Sequence, residues 1–129
     1  MKDNKKQLLI FIISLIVPVI FSRTIVFLFF TQKSFIKELT NLNIHHVHYG
    51  IILVTIAIIT LIFYKNNNAT TSISGLGLGL ILDEFIPSLL LTNSTEEAII
   101  AYNQGLIPTL ILFLLLIGLT ILLYKKKNK

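Results

Sequence analysis

The side chains best suited to chemistry lie in two short stretches of an otherwise apolar sequence. His45, His46 and His48 stand at the start of one apolar segment, and the adjacent acids Asp83 and Glu84 lie near the end of another. Imidazole nitrogens and carboxylate oxygens are the groups with which proteins bind Zn, Fe and Mn. These two stretches therefore predict a site for a divalent transition metal, provided that the fold brings them together.

The composition indicates the class of protein that has to position these residues. Of 129 residues, 54% are hydrophobic and 13% are charged, whereas soluble domains carry about 25% charged residues. The net charge of +5 comes from lysines near both ends, a distribution that indicates membrane topology and not a nucleic-acid partner. No cysteine is present, which excludes thiolate ligands and cysteine nucleophiles. The sequence thus predicts an integral membrane protein whose first partner is the lipid bilayer.

Four apolar segments predict an all-α membrane protein, a single four-transmembrane-helix bundle over residues 1–129. Each segment is close to the roughly 20 residues that a helix needs to cross the hydrocarbon core, and none alternates like a barrel strand. A break at Gly105 and Pro108 also indicates a short interfacial helix over 94–104. The four segments cover about 8–30, 44–64, 72–91 and 106–124.

The distribution of basic residues predicts the orientation of the bundle. With four spans both termini lie on one side, and that side collects eight lysines, while the other has only Lys33 and Lys37. The positive-inside rule then places both termini in the cytoplasm of a multi-pass cell-membrane protein. The second and third helices should form an antiparallel hairpin around Asn67.

Helix geometry predicts that the polar residues meet at one depth. His48 lies about twenty residues before the hairpin turn and Asp83 about sixteen after it, a difference of about 6 Å along the axis. Arg23 lies roughly 10 Å below the outer end of the first helix. Gly75, Gly79 and Asp83 are four apart, so this small-residue stripe should let a neighbouring helix approach and should turn Asp83 inward.

These positions suggest a ligand set and roles for the remaining groups. His45, His48 and Asp83 would form a two-histidine, one-carboxylate set, with His46 and Glu84 as alternates. Glu84 would suit a general base in a metal-dependent reaction. Arg23 would hold an anionic group of a lipid or other amphipathic substrate. Alternatively, Arg23 pairs with one of the two acids and holds the bundle together.

The two motifs also carry a resemblance. The stretch His45-His46-Val47-His48-Tyr49-Gly50, followed by the glycine-rich run from Gly75 to Glu84, resembles a pattern in small, largely uncharacterised prokaryotic integral membrane proteins. The resemblance covers the second and third helices, and it implies a four-helix membrane fold without an established activity. The pairing of histidines with acids is also similar to membrane metal-dependent hydrolases of the ceramidase and progestin-receptor-like superfamily, which use seven helices.

Three functions remain open from the sequence. The first is a metal-binding protein, acting as an enzyme on a lipid or amphipathic substrate. The second is proton- or ion-coupled transport or binding by a homo-oligomer, since four helices make a small transporter. The third is a structural or accessory membrane protein, without catalysis, whose polar residues specify helix packing.

Overall fold

The computed structural model describes residues 2–29, 46–64, 66–89 and 95–127, which are almost entirely helical. His45, one of the candidate ligands, lies outside these residues. We call the end of the bundle that carries Lys2 and Lys127 the terminal end, and the opposite end the far end. The helices are α1 Lys2–Phe29, α2 His46–Phe63, α3 Asn68–Leu89, α4 Thr95–Gln104 and α5 Leu106–Lys127.

Four of these helices, α1, α2, α3 and α5, are long and apolar enough to cross a membrane. No strand occurs in the described part of the chain. The prediction of an all-α, multi-pass membrane bundle is therefore confirmed. The short helix expected over 94–104 is also present, as α4. Which side of the membrane holds the termini stays a prediction.

α3 lies between α1 and α2, and glycines on two of its faces explain how closely it packs. On the α1 face, a Cβ added to Gly75 would lie 2.8 Å from the Phe11 carbonyl oxygen, and one added to Gly79 would lie 2.8 Å from Pro18 Cγ. Real Cβ atoms do not approach other atoms so closely. The predicted close approach of a neighbour along the Gly75–Gly79 stripe is therefore confirmed, and that neighbour is α1.

The α2 face of α3 is built in the same way. A Cβ added to Gly50 would lie 2.6 Å from the Gly77 carbonyl oxygen, and one added to Gly77 would lie 2.9 Å from that of Gly50. Small residues from both helices thus meet at one crossing, as expected where membrane helices pack by backbone contact. The two glycine faces fix α3 against both neighbours.

An N-terminal cap defines the start of α3, and a glycine turn separates α4 from α5. Asn67 precedes α3, and its Oδ1 accepts a hydrogen bond of 2.9 Å from the Thr70 backbone N–H, which satisfies one of the free donors of the first turn. At the far end, Gly105 separates α4 from α5 and packs against the ring of Pro87. This contact carries α4 over the far end of α3.

Candidate functional site

Asp83 is the centre of a polar cluster at the far end of the bundle. Its side chain is fully buried, and both carboxylate oxygens accept hydrogen bonds. Oδ1 accepts from Arg23 Nε at 2.8 Å, and Oδ2 accepts from the Ser22 hydroxyl at 2.5 Å and the Tyr102 hydroxyl at 2.7 Å. We call Ser22, Arg23, Asp83 and Tyr102 the Asp83 cluster. It joins α1, α3 and α4.

All three nitrogens of the Arg23 guanidinium also have acceptors within the cluster. Besides the bond from Nε, Nη1 donates to the Tyr102 carbonyl oxygen at 2.9 Å and Nη2 to the Asp83 carbonyl oxygen at 3.5 Å. The guanidinium carbon lies 3.8 Å from the centre of the Tyr102 ring, a cation–π distance. The cation is thus held by its counter-ion, two backbone carbonyls and an aromatic face.

The packing of α1 on α3 explains why these groups meet. Gly79, one helical turn before Asp83, holds α1 against α3, so that Ser22 and Arg23 reach the acid from consecutive positions. Desolvating a lone carboxylate at this depth is costly, and the cost falls when a cation and hydrogen-bond donors surround it. The prediction that Arg23 pairs with one of the two acids is confirmed, and the acid is Asp83.

Tyr102 belongs to α4, outside the membrane-spanning helices. Burial raises the pKa of its phenol well above the usual range, and the hydrogen bond to the Asp83 carboxylate raises the pKa further. The phenol therefore keeps its proton at neutral pH and acts as a donor to Asp83. A phenolate beside this carboxylate would replace a hydrogen bond with repulsion between two anions.

Glu84, the next residue, lies on the α2 side and meets different groups. Its Oε2 accepts a hydrogen bond of 3.0 Å from the Val47 backbone N–H, in the first turn of α2. The carboxylate therefore satisfies a free donor at the positive end of that helix. His46 Nδ1 lies 3.7 Å from the same oxygen, beyond hydrogen-bond length. We call His46, Val47 and Glu84 the Glu84 edge.

Of the candidate metal ligands, Asp83 lies in the Asp83 cluster, and His46 and Glu84 lie at the Glu84 edge. Asp83 is enclosed by the Asp83 cluster, and the side chain of Glu84 retains 12% exposure beside His46 at 39%. His48 lies on the exposed part of α2, and His45 is outside the described residues. Within the described ranges, no three or more His, Asp or Glu side chains form a group that could hold a metal ion. The ligand set of His45, His48 and Asp83 stays a prediction.

Two members of the Asp83 cluster, Ser22 and Tyr102, were not predicted from the sequence. Ser22 gave no signal except its position next to Arg23, because serine is common in membrane helices. Tyr102 lies in a short polar stretch before the fourth span, and nothing in that stretch indicates a contact with Asp83. Only the fold of α4 over α3 brings its hydroxyl to the acid.

Comparison with known proteins adds no family to this picture. No family model, curated protein or solved structure matches the chain. The resemblance to small prokaryotic membrane proteins therefore stays a prediction. The function proposed for this end of the bundle therefore depends on the geometry of the Asp83 cluster and the Glu84 edge.

Proposed function

We propose that this chain is a structural or accessory membrane protein, and that the Asp83 cluster serves to hold the far ends of α1, α3 and α4 together. The observation that supports the proposal is the complete engagement of a fully buried acid: Asp83 has 0% exposure, and each oxygen accepts a hydrogen bond from a neighbouring helix. Because the carboxylate is fully buried among these donors, a ligand from outside could reach it only if the helices around it moved apart.

The charges support the same function. An Arg–carboxylate pair away from water is costly to assemble but strongly destabilising to break, because the remaining charge is left buried and unpaired. All guanidinium nitrogens of Arg23 are engaged as well. Three of the five N–H groups of the guanidinium thus bind within the bundle, and the counter-ion Asp83 already balances the charge that would attract an anionic substrate group.

A double-mutant cycle tests this role. Arg23→Gln, Asp83→Asn and the double variant are compared by thermal unfolding of the full chain in detergent. We expect each single variant to lose about 3–5 kcal/mol of stability, as for broken buried pairs, and the double variant to lose much less than the sum. The distant pair Arg23→Gln and Ser72→Ala is the control, and its effects should add within about 0.5 kcal/mol.

The proposal would be contradicted if Arg23→Gln and Asp83→Asn each caused only a small loss of stability and these losses added in the double variant. If Asp83→Asn leaves stability unchanged but abolishes proton-coupled flux in liposomes, the transport function predicted from the sequence replaces the structural one. That comparison needs only the same purified variants.

A second candidate function, binding of Zn, Fe or Mn, is favoured by the Glu84 edge. His46 Nδ1 and Glu84 Oε2 are 3.7 Å apart, and both side chains keep some exposure. An imidazole and a carboxylate are suitable donors, but two donors fall short of the three protein ligands of catalytic zinc sites. His45, adjacent in sequence to His46, would have to supply the third.

Metal content decides between the two candidates. Protein purified without chelators should contain about one equivalent of metal if the edge binds it, and Glu84→Gln or His46→Gln should lose it. Asp83→Asn, next to Glu84 but enclosed, should keep the metal if it folds. Less than about a tenth of an equivalent in the natural sequence would exclude the metal site.

We also place both termini in the cytoplasm, on the strength of the lysine distribution. The absence of cysteine allows a direct test with single-cysteine variants at two exposed asparagines. Asn103→Cys, at the far end, should react with an impermeant maleimide in intact cells. Asn66→Cys, at the α2–α3 turn, should react only after permeabilisation. The reverse pattern would invert the topology.

A further inference from the structure

A cleft of about 330 Å³ opens at the terminal end of the bundle, away from the Asp83 cluster. It lies between α1, α5 and the hairpin of α2 and α3, and its volume is at the lower end of the range for small-molecule sites. The described lining residues come from all four long helices and from the α2–α3 turn. The cleft is therefore a product of the fold and not of one helix.

The lining changes from polar to apolar along the axis of α1. Asn4 and Gln7 line the cleft nearest the start of α1, and Phe11 lies deeper. On α5, which runs the opposite way, Lys127 lies nearest the helix end, and Leu123 and Thr120 lie deeper. Seven residues separate Asn4 from Phe11, so the gradient extends over about 10 Å. This is the polarity profile of a lipid headgroup with the start of its acyl chains.

The charge at the cleft is positive. Lys127 is the only charged residue among its described lining residues, and it makes no hydrogen bond or ion pair with the part of the chain that the structure describes. Four further lysines, at positions 5, 6, 125 and 126, are exposed on the same turns of α1 and α5. Basic pockets between membrane helices on such a lysine-rich side bind anionic lipid headgroups.

We propose that this cleft binds one anionic phospholipid from the leaflet that the termini face. The phosphate lies against the Lys127 ammonium, and the start of an acyl chain packs on Phe11 and Leu123. A free phosphate would leave these apolar walls uncovered, whereas a phospholipid satisfies the ammonium and the walls together. This site is separate from the Asp83 cluster, and it does not depend on the function proposed for that cluster.

Lipid binding to the delipidated full chain can be counted by native mass spectrometry in a neutral detergent. The probes are phosphatidylglycerol and phosphatidylcholine with the same acyl chains. We expect one phosphatidylglycerol to bind preferentially, and Lys127→Gln to weaken it about fivefold, the factor that one lysine near an anionic lipid contributes. Lys126→Gln makes the same charge change outside the cleft and should weaken binding less than about twofold.

Thr120→Phe provides a second variant, because Thr120 lines the cleft and a phenyl ring would fill it while every lysine remains. We expect this variant to lose the bound phosphatidylglycerol. Equal losses from Lys126→Gln and Lys127→Gln would overturn the proposal in favour of a diffuse basic surface. So would equal binding of the two lipids, or a dimer that Thr120→Phe abolishes, since a second copy would then occupy the cleft.

Discussion

Asp83 and Glu84 are neighbours in sequence and have the same charged group, yet the fold gives them opposite surroundings. Asp83 faces α1, is fully buried and accepts hydrogen bonds from Ser22, Arg23 and Tyr102. Glu84 faces α2, accepts a hydrogen bond from the Val47 backbone and keeps part of its side chain exposed. One step along a helix turns a side chain by about 100°, so consecutive residues of α3 can face different neighbouring helices.

This difference separates a carboxylate that holds helices together from one that is partly exposed. At Asp83, every contact joins one helix to another, so any chemistry there would compete with the stability of the bundle. At Glu84, the carboxylate lies beside an imidazole with some access to the surroundings. The glycines that precede the acids on α3 keep the surroundings of Asp83 and Glu84 different, because each glycine face brings a different helix into backbone contact with α3.

The largest effect that separates the two acids should come from neutralising each in turn. Asp83→Asn leaves Arg23 without a counter-ion in a buried setting, and should destabilise the bundle by about 3–5 kcal/mol. Glu84→Gln removes a partly exposed carboxylate from a backbone donor, and should cost about 1 kcal/mol. Thermal unfolding in one detergent measures both. Equal losses would show that the enclosure of Asp83 has no energetic consequence.

The two glycine faces should prove similarly intolerant of added side chains. Gly79→Ala would place a methyl group against the Leu15 backbone, and Gly77→Ala would place one against the Gly50 carbonyl. Since these neighbours are backbone atoms, the helices must separate, and each variant should lose about 2–3 kcal/mol.

Gly118 supplies the control for these variants, because nothing lies within 4 Å of an added Cβ there. Gly118→Ala should leave the bundle unchanged or stabilise it by up to about 1 kcal/mol, since alanine is the better helix former. If Gly79→Ala behaved like Gly118→Ala, close packing on the α1 face would be unnecessary for enclosing Asp83.

A smaller effect should follow from the phenol that faces Asp83. Tyr102→Phe removes one of the three side-chain donors to the carboxylate, and should cost about 1.5 kcal/mol in thermal unfolding. Since burial and Asp83 raise the pKa of the phenol, the folded state keeps a proton that the unfolded state loses above about pH 10. Stability should therefore fall as the pH rises beyond that value.

Tyrosinate absorbance checks the sign of this pH dependence. We expect the Tyr102 phenol to ionise only when the protein unfolds, so Tyr102→Phe should remove a late step in the rise of absorbance. A titration whose late part is the same in Tyr102→Phe would mean that the phenol is not enclosed with Asp83.

The smallest effect should come from a buried hydroxyl that makes no hydrogen bond with the described residues. Thr109 is fully buried, and its hydroxyl makes no hydrogen bond within the described part of the chain. Thr109→Val should therefore be neutral or stabilise the protein by up to about 1 kcal/mol. Ser22→Ala, which removes a donor from Asp83, should instead destabilise it. The same unfolding assay compares the two variants. A loss of stability in Thr109→Val would contradict the expectation that the Thr109 hydroxyl contributes no hydrogen bond.

Much of the architecture follows from patterns that depend only on neighbours along the chain. Apolar length predicted the four long helices, and the four-residue spacing of Gly75, Gly79 and Asp83 predicted both close packing and an inward acid. The rise per residue of an α-helix predicted that Arg23 lies at the depth of that acid. These predictions succeeded because the rise and turn of a helix are fixed by its backbone.

Which helix faces which acid could not be predicted in the same way. The sequence predicted that Arg23 pairs with one of the two acids but not with which, and it grouped His45 and His48 with Asp83 in a metal site. The structure places Arg23 beside Asp83 and His46 beside Glu84. The contact of Ser22 and Tyr102 with the acid likewise depends on how α1 and α4 pack. Helical phase gives the angle between residues on one helix, but not the rotation of one helix against another.

By itself, then, the sequence determined a four-helix membrane protein with its polar side chains at one depth and most of its lysines at the other end. Hydrophobic length, helix geometry and charge distribution are sufficient for that. The tertiary structure alone decided that Asp83 is enclosed between α1 and α4 while Glu84 lies at the edge of α2. That choice depends on backbone contacts at glycines of α2 and α3, and such contacts exist only once the bundle has packed.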